Sequence, residues 1–531
     1  MTLRELTVDL AHPVISGNQD VNVAALAYDS RKVKPGTAFI ALRGMKVDGH
    51  DFIDTAIKAG AVAIVAETAP PADATIPWVH TSSSRKAMAL MAEVFYRRPD
   101  RQLILGGITG TNGKTTITYL THYLLNAAMI RSGLLGTICY DLGQNQIEAA
   151  THTTPESLEL YKHLSTMVEN GCRAAVMEVS SHALDMDRVH GLRIGSAVFT
   201  NLTQDHLDYH ETMERYFEAK TILFDMVAAR PKGRLIINID DLWGKKLNIK
   251  YSSTERVCTY GFGALADFRA SNVRYDIMGT TFELTVQGRQ FMVRTPLIGD
   301  FNVYNTLAAL ALSRAMGANL REAVMQMKDA PQVPGRLERV GDDTFKFAVY
   351  VDYSHTPDAL VNALRTLRLL RPRRIITVFG CGGDRDRTKR PAMARAVQEG
   401  SDVCIVTTDN PRFEDPAQIF ADIVKGFSRK NYVEIPNRAE AIKSAITNAQ
   451  PGDIVLIAGK GHETYQDIKG VKHDFDDTRV AHGALMSRRT ARAEKLMNRI
   501  QAEQEEQQAR EFEQRAFNND DPDKSRRKWN E

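Results

Sequence analysis

One ten-residue stretch constrains this chain more than any other: Gly107-Ile-Thr-Gly-Thr-Asn-Gly-Lys-Thr-Thr116, entered from the apolar run 103–108 and left by a helix-like run, 114–125. A strand that stops at a glycine-rich turn and restarts as a helix aims backbone N–H groups and the positive end of the helix dipole at one spot, which attracts phosphate. In such a loop Lys114 reaches the outer phosphates and the Thr115 hydroxyl ligates Mg²⁺. ATP is therefore the first ligand expected, held by Gly110, Thr111, Asn112, Gly113, Lys114, Thr115 and Thr116. The general pattern asks for glycine five residues before Gly113; Ile108 stands there, with Gly107 one place earlier and Gly110 inside the loop. An unliganded turn would account for the glycines but not for Lys114 and the two threonines after it.

Helix-like and β-rich runs alternate beyond the loop, as in an open, mostly parallel sheet, whose ligands lie at the carboxyl ends of its strands. At 531 residues the chain exceeds one ordinary core, and about three domains are expected. Lys and Arg (68) nearly balance Asp and Glu (65), so the net charge of +3 gives no reason to expect nucleic-acid binding. Cys139, Cys172, Cys258, Cys381 and Cys404 form no C-x-x-C pair, which suggests neither a disulfide framework nor a zinc site and fits a reducing cytoplasm. Met1-Thr-Leu-Arg-Glu5 is no signal peptide, and no apolar run approaches membrane-spanning length. A soluble, cytoplasmic monomer without membrane insertion is expected.

Residues 26–67 alternate short apolar runs (38–42 and 61–66) with a helical pattern at 51–59, a small α/β unit. It carries Asp29-Ser-Arg31 and Pro35-Gly-Thr-Ala-Phe39, which on local grounds could be a capped turn. Residues 81–98 read as a helix that ends in a linker, Arg97-Arg-Pro-Asp100. Past the loop, Arg173-Ala-Ala-Val-Met-Glu-Val-Ser-Ser-His182 and Ser196-Ala-Val-Phe-Thr-Asn-Leu-Thr-Gln-Asp-His-Leu-Asp-Tyr-His210 are apolar strands with polar ends. A lone histidine there is usually structural; two strand ends with acid and imidazole beside a nucleotide favour a metal. Thr151-His-Thr-Thr-Pro155 is a hydroxyl-rich loop before a helix at 156–168, and Tyr216-Phe-Glu-Ala-Lys220 begins an amphipathic helix on which a lysine is ordinarily solvated. Gly299-Asp-Phe-Asn-Val-Tyr-Asn305 opens another helix, 306–316. A hinge at Gln332-Val-Pro-Gly-Arg-Leu-Glu338 leads to a second alternation, with strands at 348–353, 375–379, 403–407 and 454–458. Gly380-Cys-Gly-Gly-Asp-Arg-Asp-Arg387, Asp409-Asn-Pro-Arg412 and Ala458-Gly-Lys-Gly-His-Glu463 lie at strand ends and could be plain turns. From 490 onward the composition predicts a charged helix to about Phe517 and disorder over 518–531.

These strings, in this order, resemble the Mur ligases and their folylpolyglutamate synthetase relatives over roughly residues 26–489. The resemblance implies a three-domain α/β protein. Residues 1–98 would bind the uridine nucleotide end of a substrate, 99–335 would be a P-loop ATPase domain with a mostly parallel sheet, and 336–489 a Rossmann-like amino-acid-binding domain; 490–531 would be an appendage. It assigns Tyr28, Ser30, Met45, Lys46 and Val47 to the uridine nucleotide, and Thr153, Thr154, Ser180 and Arg188 to the muramyl-peptide part. Where the family often has asparagine and glutamine this chain has His152 and Met186, and both are left out of that set. Thr115, Glu178 and His206 would hold Mg²⁺, although a nitrogen ligand is unusual for this ion. Lys220 would be carbamylated and steady the metal, making Lys114, Lys220 and His206 the catalytic set. Asn302 and Asn305 would lie near adenine, and Arg336 and Asp352 would reach ATP from the third domain as it closes. Within the family, D-N-P-R marks an acceptor site for meso-diaminopimelate, here Arg385, Asp409, Asn410, Pro411, Arg412, Gly459 and Glu463.

The implied activity is ATP-dependent addition of meso-diaminopimelate to UDP-N-acetylmuramoyl-L-alanyl-D-glutamate through an acyl phosphate. Two alternatives stand beside it. A sister ligase using lysine, or making folylpolyglutamate, would keep the phosphate loop but lack 409–412 in this form, and a nucleotide-dependent switch would release phosphate without needing both a carboxylate and an amine.

Overall fold

The computed structural model describes residues 1–44, 47–276, 278–341 and 343–519. It divides into two compact units between Pro334 and Gly335. Gly335 has φ 64°, and a Cβ there would lie 2.3 Å from the His462 nitrogen, so the turn that begins the second unit requires glycine.

The first unit holds two sheets. The smaller runs Val14–Ser16, Trp78–His80, Ala61–Ala66, Thr37–Ile40, Ala25–Ala27, all parallel except the first pair. The larger has eleven strands, with Ile104–Thr109 between Ser196–Phe199 and Ala174–Glu178. Its middle is parallel out to Phe268–Asp276 on one side and Ser132–Leu135 on the other; beyond these, antiparallel strands extend both edges, Gly279–Val286 and Arg289–Thr295 on the first side and Cys139–Asp141 and Ile147–Ala149 on the second. The mixed α/β class expected from the sequence is what the chain adopts.

Helix Lys114–Ala127 buries Ile117, Leu120 and Leu124, which recur every three or four residues and so form one stripe. That stripe packs with Val303, Leu307 and Leu310 of helix Asp300–Ala315 on one face of the large sheet. On the other face, Leu223, Phe224 and Val227 of helix Met213–Ala228 join Leu160 and Leu164 of helix Ser157–Glu169. Each such side chain contributes about 1.5–3 kcal/mol when fully buried. Helices on both faces leave the strand ends as the open ground for chemistry.

The second unit has a six-stranded sheet in the order Glu338–Val340, Ala348–Asp352, Asp453–Ala458, Arg374–Phe379, Val403–Val406, Tyr432–Glu434, parallel apart from its first strand. A hairpin, Tyr465–Ile468 with Val471–Asp474, stands beside it. The charged helix expected from residue 490 begins earlier, at Asp477, and runs to Asn519, two residues past its expected end near Phe517 and into the stretch where disorder was expected. Residues 520–531, where disorder was also expected, lie outside the described residues, as do Met45 and Lys46 of the expected uridine site. Among the described residues no helix is long and apolar enough to cross a membrane.

Candidate active site

The phosphate loop leaves strand Ile104–Thr109 at its carboxyl end, and Gly113, with φ 91°, caps helix Lys114–Ala127. Gly110 is forced: a Cβ there would sit 1.8 Å from Thr200 Oγ1. The loop is braced from below by the neighbouring strand. Thr200 Oγ1 donates to the Asn112 carbonyl at 2.6 Å, and the Thr111 N–H donates to the Asn201 carbonyl at 2.9 Å. Lys114 Nζ donates to the carbonyls of Gly110 and Thr111 at 2.9 and 2.8 Å, folding its ammonium back over its own loop. Asn302 and Asn305 are buried behind it, linked by a 3.0 Å bond from Asn305 Nδ2, and a Cβ on Gly113 would lie 2.4 Å from Asn305 Oδ1.

At the end of strand Ala174–Glu178 the Glu178 carboxylate is 1% exposed. It accepts from Thr115 Oγ1 at 3.1 Å and from the Thr137 N–H and hydroxyl at 2.8 and 3.1 Å. Two oxygens held together beside the helix N-terminus fit a hard cation as ligands. Among the described residues no three acid, imidazole or thiol groups lie close enough to hold a metal by themselves, so a cation at this carboxylate would need ligands beyond such a cluster. His206 is half-exposed in a left-handed backbone conformation, φ 53°, with its ring 4.9 Å from that of His182. Burial pushes its imidazole below the ordinary range, with Lys114 and Lys220 adding to the effect, which keeps a nitrogen lone pair available.

Lys220 departs from the expectation for a lysine on an amphipathic helix. It is 1% exposed, donates to the Gly110 carbonyl at 3.0 Å and lies 4.4 Å over the Tyr216 ring. Burial, and then the nearby Lys114 charge, hold its amine far below the usual lysine range.

The residues expected to hold the muramyl-peptide part gather at the same strand end. Thr154 Oγ1 donates to the Glu178 carbonyl at 2.9 Å and accepts from the Ser180 N–H at 3.1 Å. Thr153 and Thr137 hydroxyls are 3.1 Å apart, and Arg188 donates to the Thr154 carbonyl at 3.0 Å and pairs with Glu156 at 3.0 Å. The Tyr28 hydroxyl donates to Glu159 at 3.0 Å, which carries the small sheet's cluster to the same helix. Ser30 starts a short turn capped by Asp29, the local alternative seen in the sequence, and Val47 is exposed. Thr137, Glu156 and Glu159 were not singled out from the sequence; Thr137 carries the same signal as the others, a hydroxyl just past an apolar strand.

In the second unit Asp352 is occupied locally, accepting from the Leu337 and Ser354 N–H groups at 2.7 and 2.8 Å, while Arg336 lies 4.9 Å over the Tyr353 ring. The strand-end loops meet around Asp409 and Asn410, both buried. A Cβ on Gly459 would lie 2.5 Å from Asp409 Oδ2, and Asn410 Nδ2 donates to Glu463 Oε2 at 2.9 Å. Pro411 precedes Arg412, whose N–H donates to the Asp467 carbonyl at 2.9 Å and whose guanidinium donates to the Gly383 carbonyl at 2.8 Å. Glu414, an obvious surface partner for Arg412, is instead taken by Arg390 at 2.6 Å. Arg385 is exposed on the loop above. Three fully buried cations of this unit lie outside the expected set: Arg390, Lys460, and Arg438, which pairs with Asp477 at 2.6 Å and lies 4.0 Å from Asp409.

Three family descriptions match consecutive stretches of this chain: Mur ligase family, catalytic domain (residues 22–96), Mur ligase middle domain (108–313) and Mur ligase, glutamate ligase domain (335–461). The chain is 45% identical over 489 residues to the UDP-N-acetylmuramoyl-L-alanyl-D-glutamate--2,6-diaminopimelate ligase of Solibacter usitatus (strain Ellin6076), covering 91% of this chain and 98% of that protein. It is 46% identical over 479 residues to the protein of the same name from Geobacillus thermodenitrificans (strain NG80-2), covering 89% and 96%. A solved structure under that name matches with a TM-score of 0.68 and 35% identity, over 92% of this chain and 99% of that one. The fold is shared more widely: the MurF ligase of Thermotoga maritima, solved in complex with ADP, matches with a TM-score of 0.56 at 19% identity, over 82% and 94%.

Proposed function

This chain belongs to the Mur ligase family, and from that membership we propose that it is an ATP-dependent ligase joining meso-diaminopimelate to the D-glutamate γ-carboxylate of UDP-N-acetylmuramoyl-L-alanyl-D-glutamate. The observation that carries the assignment is likeness over nearly the whole length of relatives bearing that name, together with a strand-end loop, 409–412, that presents a guanidinium unpaired with the neighbouring Glu414. The γ-phosphoryl group of ATP passes to the γ-carboxylate and ADP leaves; the amine then attacks the acyl phosphate, and phosphate leaves as the amide forms and the amine nitrogen gives up a proton. Two anions must first be brought together and aligned, which Lys114 and the loop N–H groups serve. Mg²⁺, held by Thr115, Glu178 and His206, would offset the phosphate charge. Tyr28, Ser30, Val47, Thr153, Thr154, Ser180 and Arg188 are our candidates for the uridine-muramyl substrate, and the cytoplasm, where ATP is made available, is the proposed compartment. Phosphate release measured with a panel of UDP-muramyl peptides and amino acids tests the reaction. Release should require both the dipeptide substrate and diaminopimelate; release without an amine would replace the ligase with a nucleotide switch.

Lys220 is proposed to be a carbamate. Burial and the nearby Lys114 charge favour the neutral form of its amine, which can attack CO₂ and lose one proton, and the resulting anion is opposite in charge to Lys114. Native mass spectrometry in bicarbonate is expected to show one added CO₂ that acid removes, and Lys220→Ala should lower turnover by about 10- to 100-fold. Full activity in that variant would remove the role.

A further inference from the structure

Lys460 has no part in the acceptor set drawn from the sequence, yet it is completely buried beneath it. Its Nζ donates to Asn410 Oδ1 at 3.0 Å and to Glu463 Oε2 at 3.1 Å, and lies 4.0 Å from Asp409 Oδ1. The Asn410 amide is thereby fixed. Its oxygen accepts from Lys460 and from the Asp467 N–H at 2.9 Å, while its nitrogen donates to Glu463 Oε2, so a flipped amide would set donor against donor and oxygen against carboxylate. Glu463 is fixed as well: Oε2 takes both bonds, which leaves Oε1 for an incoming ammonium. Lys460 and Arg438 are the two buried cations set against three carboxylates here. Asp409, Glu463 and Asp477 crowd one strand end, and Arg438 answers chiefly Asp477, through 2.7 and 2.6 Å bonds. Removing Lys460 leaves Arg438, 4.0 Å from Asp409 and already paired with Asp477, as the buried cation for three carboxylates.

We propose that Lys460 is the positioning residue of the acceptor site, orienting the Asn410 amide and pinning one oxygen of Glu463 so that the other meets the amino group of a zwitterionic amino acid. This rests on 409–412 and Glu463 forming the diaminopimelate site.

The test is steady-state kinetics of the full-length enzyme with Lys460→Met, which keeps the chain length and drops the charge. The KM for diaminopimelate is expected to rise about 30-fold or more, while the KM values for ATP and the UDP-dipeptide stay within about 2-fold. An unchanged KM for diaminopimelate, or an equal rise for all three substrates, overturns the role. Because Lys460 acts in part through Glu463, the loss of diaminopimelate binding in the pair Lys460→Met/Glu463→Gln should fall well short of the sum of the two single losses. That pair keeps the wild-type net charge of the cluster and is read in place of Lys460→Met if the single variant does not fold; an additive loss overturns the proposal. Arg412→Ala separates the two layers. If it leaves the KM for diaminopimelate unchanged, the acceptor-site assignment itself fails; if it raises that KM and Lys460→Met does not, only the positioning role fails.

Discussion

Replacing Lys114 with alanine is expected to lower ligation by at least about 10³-fold while leaving a folded protein. The ammonium is the only side-chain charge of the loop, and the transferring phosphoryl group carries charge that must be met in a site where water is scarce. The structural cost is small. Lys114 donates to the Gly110 and Thr111 carbonyls, but Gly110 also accepts from Lys220 at 3.0 Å, so of these two carbonyls Thr111 is the one left without a lysine donor. One such bond is worth about 1 kcal/mol, well below the stability of a domain. Phosphate release and circular dichroism on the same preparation check both halves. A folded variant turning over near the wild-type rate would end the assignment of this loop to ATP.

Selectivity for diaminopimelate over lysine is expected to rest on Arg412. The two amino acids differ by one carboxylate beside the distal amine, and a guanidinium can grip that carboxylate through two parallel charge-assisted bonds. The loop is built to present it: Arg412 is tied on both sides of its backbone, to the Asp467 carbonyl and to the Lys469 N–H at 2.8 Å, and Glu414 is already satisfied by Arg390. With lysine bound, the guanidinium would lack its partner and face a like charge, which supports discrimination of about 10⁴. Arg412→Ala should therefore cut kcat/KM for diaminopimelate by about 10³-fold and change that for lysine by less than about 10-fold. Arg412→Lys, a point charge without the fork, should fall between. An unchanged ratio of the two substrates in Arg412→Ala would take the residue out of the acceptor site.

Strand ends were legible in the sequence because an apolar run followed by acid, hydroxyl or imidazole is a local signal; Thr115 and Glu178, 63 positions apart, needed only adjacent parallel strands to meet. Lys220 is different. Taken singly a lysine is solvated, but Tyr216, Ala219, Lys220, Leu223, Phe224 and Val227 fall on one helical stripe, and the spacing itself places the amine inside. Lys460, within Ala458-Gly-Lys-Gly-His-Glu463, carries no such signal, because its partners Asn410 and Asp409 come from another strand and no local pattern joins them. The antiparallel strands between residues 268 and 295 alternate apolar and polar positions readably, but their place at the edge of the large sheet depends on pairings with no sequence signature.

The helix Asp477–Asn519 is unbroken in its hydrogen bonds, but it is two objects on the timescale of opening. Its first turns are nailed down by the buried Arg438–Asp477 pair and by Ala481, Ala484 and Leu485 in the core, so their amides exchange with solvent only when the second unit unfolds. From residue 490 to 514 every side chain is exposed, and the stretch is supported by little more than pairs such as Arg499–Glu503 and Arg510–Glu506. A segment of that kind melts and reforms within about a microsecond. Proteases and solvent would therefore meet a boundary near residue 490 that the backbone geometry does not mark.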